Sequence, residues 1–246
     1  MIRLALWLIA VGAADLVRGG GEPRGRREAL AVLAGGALPA AGLAALGESP
    51  TRALLFGLTS GAAIAVHLWL RRSEQAGRAP RFALVAVWLG AITALLALPI
   101  RGGVAAAPSR LGAWLEGSRW LAAAGLDAGE LLLVLGGAVV LLATANVLVR
   151  GVLLATGVEL PQAEGELRGG HLIGPLERLL IYGLALAGQW TGAALIASAK
   201  SLLRFPELTR EDQARIHTVT EYFLLGSLTS WLVALAVAGF VRLALA

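Results

Sequence analysis

The residues best placed to do chemistry crowd into the last third of the chain. In order they are His171 within Gly170-His171-Leu172-Ile173-Gly174-Pro175, then Glu177 and Arg178, Gln189, Lys200 and Ser201, Arg204, and Glu221 with Tyr222. They lie inside or beside apolar stretches. A charge in hydrocarbon is costly, so such residues pair with one another, line a path for ions or substrate, or hold a ligand. Lys200 is the only lysine in the chain, every other one of the 21 Lys+Arg residues being arginine. A compact ammonium that can lose its proton does what a guanidinium cannot. The candidate ligand-binding set is therefore Glu177, Arg178, Gln189, Lys200, Ser201, Arg204, Glu221 and Tyr222, with Glu177, Lys200 and Glu221 expected to converge on one polar site.

Each of these residues also has a plainer structural reading. Pro175 suits the first position of a helix and Glu177 its first turn, where a carboxylate complements the helix dipole. Lys200 and Arg204, at the far end of the same stretch, suit anchoring among headgroups. Thr209-x-x-Asp212 has the form of a capping box and Glu211 stands four residues before Arg215, which marks the solvated start of a last helix. Elsewhere, Asp15 and Asn146 are the polar residues set in apolar runs, and Asn146 suits a hydrogen bond between two helices. His67 ends an apolar run beside Trp69 and Arg71, where a histidine is more often structural than catalytic.

Several chemistries lack their residues. With 0 Cys there are no disulfides, thiolate nucleophiles or thiol-rich metal sites. The histidines, His67, His171 and His217, stand far apart in sequence, so neither a metal site nor a metal or organic cofactor is expected. No nucleotide-binding glycine motif, nucleophile elbow, catalytic carboxylate pair or H-E-x-x-H occurs. The net charge of +5 would suggest nucleic acid in a soluble protein; here it reads as anchoring of cytoplasmic loops, and no nucleic-acid partner is expected.

The elements that must position these residues follow from composition. Of 246 residues 57% are hydrophobic and 15% charged, with a mean hydropathy of +0.75. That surface is too apolar for water, and in lipid only helices or a closed barrel satisfy the backbone. The apolar runs are continuous rather than alternating, so the expected fold is all-α, a polytopic transmembrane bundle. Seven segments, 4–17, 29–46, 53–70, 82–100, 131–149, 176–199 and 222–241, approach the roughly 20 residues of one crossing, giving about seven spans. The first, with Arg3 before an apolar run ending in Gly12-Ala13-Ala14, has the outline of a signal peptide but counts here as a span or anchor. Residues 109–126 carry Leu111, Trp114, Leu115 and Leu121 on one face and read as an interfacial helix. The polar stretch 157–170 divides the chain into an N-terminal bundle, 1–156, and a C-terminal region, 170–246, of one membrane unit.

Arginine sets the orientation. Arg18, Arg24, Arg26 and Arg27 follow the first segment and Arg71, Arg72, Arg78 and Arg81 the third, while the loop between the second and third holds only Arg52. The positive-inside rule then puts the N-terminus outside. Seven simple crossings would leave Lys200, Arg204, Arg210 and Arg215 outside as well, against the rule. Either 175–200 is one crossing of about 37 Å, the reading preferred on length, or 175–205 is a re-entrant pair broken near Gly188-Gln189. Small residues four apart at Gly57/Gly61, Gly188/Gly192 and Gly226/Ser230 would let helices approach closely.

The motifs of the last third resemble an uncharacterised bacterial membrane-protein family, domain-of-unknown-function family number 3307, in its succession I-G-x-L-E-R-L, K-S-x-x-R-F and E-Y-x-x-x-G-[ST]-L-x-S. Here these are 173–179, 200–205 and 221–230. The resemblance implies a membrane protein and candidate residues but no activity. That family also has an early H-x-x-x-D pattern suggestive of a metal site; here Asp15 matches, Val11 stands in the histidine position and His67 echoes the remainder. Three classes of function follow: a transport-type protein or membrane subunit with a C-terminal polar site, which is preferred; a membrane-embedded enzyme acting on lipid through Ser201 or Tyr222; and a partner-binding scaffold. The expected partners are membrane lipid and a membrane protein or second copy of the chain, and the expected place is the bacterial inner membrane.

Overall fold

A computed structural model describes residues 1–19, 25–71, 89–90, 92–93, 113–115, 117–119, 125–157, 170–196, 198–199 and 213–245, with the backbone alone at 170–171 and 213–221. Among them the structure is all-helical. Seven long helices organise it: α1 (Ile2–Arg18), α2 (Gly25–Ala45), α3 (Pro50–Arg71), α4 (Ala128–Leu142), α5 (Thr144–Ala155), α6 (Gly170–Leu186) and α7 (Gln213–Leu245). The fourth apolar segment and the interfacial helix expected at 109–126 lie largely outside the described residues.

The shortest apolar segment forms the centre. α1 is packed by α2, α3, α4 and α5, and Leu4, Ala5, Trp7, Ala10, Val11 and Ala14 are buried around its whole circumference. A helix apolar on every side belongs inside a bundle. At 17 residues, about 26 Å long, it has neighbours rather than lipid as its solvent. The outer helices show the reverse. Leu172, Leu176 and Leu180 on α6 and Leu224, Leu228 and Leu232 on α7 are all more than half exposed, each row at four-residue spacing along one helix face. Large leucine rows facing outward call for a hydrocarbon solvent. By length and hydropathy α2, α3 and 222–245 of α7 can each cross a membrane, and a fourth span results if α4 and α5, bent by 41° at their junction, count as one.

Contacts fix the directions. Gly42 meets Leu6, and Gly36 meets both Gly57 and Gly61, so α2 runs antiparallel to α1 and α3. Gly129 lies at Ile2, Gly136 at Ala5 and Leu8, and Gly12 at Val139, so α4 runs parallel to α1. Tyr182 donates to the Val134 carbonyl and Arg178 to that of Leu141, which makes α6 antiparallel to α4. Arg178 reaches Ser230 while Arg242 reaches the Ala185 carbonyl, so α7 is parallel to α6. One end of the bundle thus gathers Met1, residues 46–49, Asp127, Leu186 and Leu245; the other gathers Arg18, Gly25, Arg71, Ala155 and the start of α7.

The single crossing preferred for 175–200 is corrected. α6 ends at Leu186, Gly188 turns the chain at φ 74°, and helix resumes at 190. The Gln189 N–H closes the turn on the Leu184 carbonyl at 2.8 Å, and the Ala193 N–H bonds back to the Gln189 carbonyl. Arg242 holds the turn from α7, bonding to Ala185 and lying 5.8 Å over the Trp190 ring. The break falls where the re-entrant reading puts it. A left-handed residue interrupts the helical ladder, and length alone carries no sign of it.

The three small-residue pairs have three different uses. Gly57 and Gly61 form the α2–α3 seam: a Cβ on Gly57 would stand 2.7 Å from the Gly36 carbonyl oxygen and 2.7 Å from the Ala40 Cβ. Gly188 makes the turn, and Ser230 takes a hydrogen bond from Arg178. A Cβ on Gly61 would come no nearer than 3.5 Å to Gly36, an ordinary contact. Gly57→Ala is therefore expected to destabilise the detergent-solubilised protein by roughly 1–3 kcal/mol, as overpacking does. Gly61→Ala is expected to be neutral or to stabilise by about 0.4–1 kcal/mol. Thermal unfolding of both variants decides; equal losses would mean that backbone approach at Gly57 does not set the seam.

Candidate functional site

The bundle carries two buried polar centres, and the first rests on α1. Asp15 is 4% exposed and His67 wholly buried. Because α1 and α3 are parallel, Asp15 comes level with His67 and Arg71, which share a face of α3 at four-residue spacing. Asp15 Oδ1 lies 3.0 Å from His67 Nε2 and also accepts from Arg71 Nη1. An ionised carboxylate only accepts, so His67 donates from Nε2, which in the neutral ring leaves Nδ1 as the bare nitrogen. One turn along α1, Arg18 pairs with Glu28 of α2 at 3.8 Å. From α5, Thr144 stands beside Asp15, 2% exposed. Asp15 Oδ2, His67 Nδ1 and Thr144 Oγ1 are buried and have no hydrogen-bond partner among the described residues.

Arg178 makes the second centre. It is 2% exposed and donates from Nε to the Leu141 carbonyl at 3.1 Å, from Nη1 to Ser230 Oγ at 3.2 Å, and from Nη2 to the Asn146 side-chain oxygen. The guanidinium is thus held by neutral acceptors on α4, α5 and α7. Next to it Glu177 accepts from the Trp231 indole N–H at 2.7 Å. The helix-start reading of these residues is corrected: α6 begins at Gly170, so Pro175 lies inside the helix and Glu177 beyond its first turn.

The two centres meet at the break between α4 and α5. Neither Pro nor Gly stands at Ala143, where the helix bends by 41°. Arg178 takes the Leu141 carbonyl, at which an unbroken helix would place the Ala145 N–H, and a side chain entering the ladder is a sufficient cause of a kink. On the far side of the break Thr144 faces Asp15 while Asn146, two residues on, faces Arg178. Residues two apart point to nearly opposite sides of a helix, which is how one short stretch serves both centres.

Of the eight candidates from the sequence, Glu177 and Arg178 are adjacent in α6 and engage α7. Gln189 is exposed in the turn, with its backbone rather than its side chain in use. Tyr222 is half-buried at the start of the apolar part of α7. Lys200, Ser201 and Arg204, with the side chain of Glu221, lie outside the described residues, and so does the convergence of Glu177, Lys200 and Glu221. What sequence reading missed is Asp15, His67 and Arg71 as one group: 52 residues separate Asp15 from His67. The signals were a carboxylate in an apolar run, the His67-x-x-x-Arg71 spacing, and a resemblance that set Asp15 and His67 in one pattern but read it as a metal site.

Asp15 and His67 do not fit the metal site that the family resemblance brings to mind. Arg71 occupies the same carboxylate oxygen, and among the described residues no group of three or more His, Cys, Asp or Glu could hold an ion. An open groove of about 630 Å³ between α2 and α3 is lined by Glu28, Val32, Leu33, Leu68 and Trp69 among others.

Removing Arg71 leaves the Asp15 charge buried with only His67 on its bonded oxygen. Arg71→Met is expected to cost about 3–5 kcal/mol, and adding Asp15→Asn to recover more than half of it. Denaturation of the two single variants and the double variant measures this coupling; strictly additive losses would mean that the pair does not interact. No protein-family model, curated protein or solved structure matches this chain.

Proposed function

We propose that the chain is a multi-pass integral protein of the bacterial cell membrane that acts as a transport-type protein or as the membrane subunit of a larger assembly. The observation that carries this reading is the α4–α5 break with a buried charged centre on each side. Broken helices and buried ionisable residues are the parts from which membrane proteins build ion and substrate sites, because only at such a break are backbone and side-chain polar groups free to face something other than their own helix. The C-terminal polar site contributes Glu177 and Arg178 to this arrangement. The motif resemblance to family 3307 belongs to the same proposal and adds no activity to it. Membrane lipid is the solvent of the outer leucine rows, and a membrane protein or a second copy of the chain is the partner such a subunit requires.

The orientation is part of the proposal. The end at which α1 and α3 finish and α2 begins is the arginine-rich end, which the positive-inside rule puts in the cytoplasm, with the N-terminus outside. α7 starts at that same end, which puts Arg215 in its first turn there, in keeping with the rule. About seven spans was the count for uninterrupted crossings; a break after Leu186 replaces one of them with a returning pair.

With 0 Cys in the chain, a single introduced thiol reports on one position only. Leu126→Cys is expected to react with a membrane-impermeant maleimide in intact cells, and Thr156→Cys only after permeabilisation. Labelling of both from outside would remove the α4–α5 crossing. For the function itself, the protein is purified from its native membrane in mild detergent and its bound subunits, lipids and small molecules are identified by mass spectrometry. A membrane partner at fixed stoichiometry, or a retained polar solute, is the expected result. A chain that keeps neither and hydrolyses added phospholipid is instead a lipid-acting enzyme.

A further inference from the structure

Resting on the transport-type reading, we propose that the Asp15–His67 pair is a proton-binding site in the membrane interior, the bound proton residing on His67 Nδ1. The argument starts from which atoms are already engaged. His67 is wholly buried, its Nε2–H is committed to Asp15, and Nδ1 carries a lone pair that no described group satisfies. In the neutral ring Nδ1 is a buried acceptor without a described donor, which costs about 1–3 kcal/mol, and a proton needs no room beyond the nitrogen itself.

The surrounding charges suit such a proton. Among the described residues, the histidine pairs with Asp15 of α1, which Arg71 of its own helix shares, and the pair Arg18 of α1 with Glu28 of α2 lies one turn along. The two acids and two arginines cancel, so neutral imidazole sits in a balanced site and imidazolium adds one positive charge directly against Asp15. That carboxylate has the capacity to hold it. Both His67 and Arg71 now share Oδ1, whereas Oδ2 is buried and unengaged. An imidazolium on one oxygen and a guanidinium on the other would engage both oxygens of the group. A metal cation would have to displace Arg71, and an anion would meet Asp15.

In the binding step hydronium gives a proton to the Nδ1 lone pair, one N–H bond forms and water leaves; the Nε2–H bond is kept throughout. Release is the reverse, to water. The redistribution on Asp15 reaches Thr144, which stands beside it and whose helix begins at the α4–α5 break. Proton binding at His67 thereby acts on the same broken segment that Arg178 holds from the other side.

The test uses the full chain in lipid nanodiscs with 15N-labelled histidine. There are 3 His residues, so the His67 signal is assigned by its loss in His67→Gln. At about pH 8 it should show one protonated and one bare nitrogen, and by about pH 5 two protonated nitrogens. A nitrogen that stays bare over this range would overturn the site. In parallel, vesicles containing the protein and a pH-sensitive dye are given a potassium diffusion potential. Proton uptake is expected for the wild-type chain, falling to the level of protein-free vesicles in His67→Gln and reduced in Thr144→Val. Uptake that persists in His67→Gln would overturn the site while leaving the transport-type reading intact. A titrating His67 with no uptake by the wild-type chain would support the site and overturn the transport-type reading. If His67→Gln does not elute as a monodisperse particle, the Thr144→Val vesicles and the wild-type spectra, assigned through His171→Gln and His217→Gln, carry the test alone.

Discussion

A carboxylate inside the most buried helix of the bundle is the constraint around which the rest is arranged. Asp15 is buried, so its charge must be met by groups brought from elsewhere in the chain. Meeting it fixes the height of α3 against α1, since His67 and Arg71 must both reach one carboxylate oxygen. The same face of α1 carries Arg18, which brings Glu28 and hence the start of α2 to the same end. The packing of three helices at the arginine-rich end is therefore set as much by electrostatics as by apolar contact. A buried ion network contributes little net stability over a well-packed apolar one, yet removing one member is expensive, so its effect is on which arrangement forms.

Close backbone approach completes the core that this charge network orients. α1 meets α4 through Gly12, Gly129 and Gly136, and α2 meets α3 through Gly36 and Gly57. Between helices in lipid there is little hydrophobic gain from association, because the acyl chains are as apolar as leucine, so dispersion contacts between near backbones have to supply it. Small residues make this possible on the inner faces while leucines cover the outer ones. The result is a bundle that keeps Asp15, His67 and Arg178 buried, while Asn146 of the second centre is exposed.

The break between α4 and α5 ties the two centres into one device. Arg178 interrupts the ladder at Leu141 and is satisfied by Asn146 and Ser230; Thr144, on the other side, approaches Asp15. Any change in the charge state on one side alters what the short segment between residues 141 and 146 must satisfy. Coupling between polar sites in a membrane needs such a two-sided element, and an uninterrupted helix, with every backbone group already paired, would offer none.

Composition and the long apolar runs were enough to determine an all-helical, lipid-compatible chain, because hydrocarbon allows the backbone few other solutions. Gly57/Gly61 was legible as a helix seam. The candidate site was legible only in part. Glu177 and Arg178 stood out as charges in an apolar stretch, but that Arg178 is buried against Asn146 and Ser230, not anchored at a helix end, depends on α6 starting at Gly170. The turn at Gly188 was one of two readings until tertiary contacts with Arg242 and Leu184 decided it. The Asp15–His67–Arg71 group was decided by tertiary structure alone. Its members are 52 and 56 residues apart, and which distant charge answers a buried carboxylate depends on helix direction and height, quantities that local residue patterns do not encode.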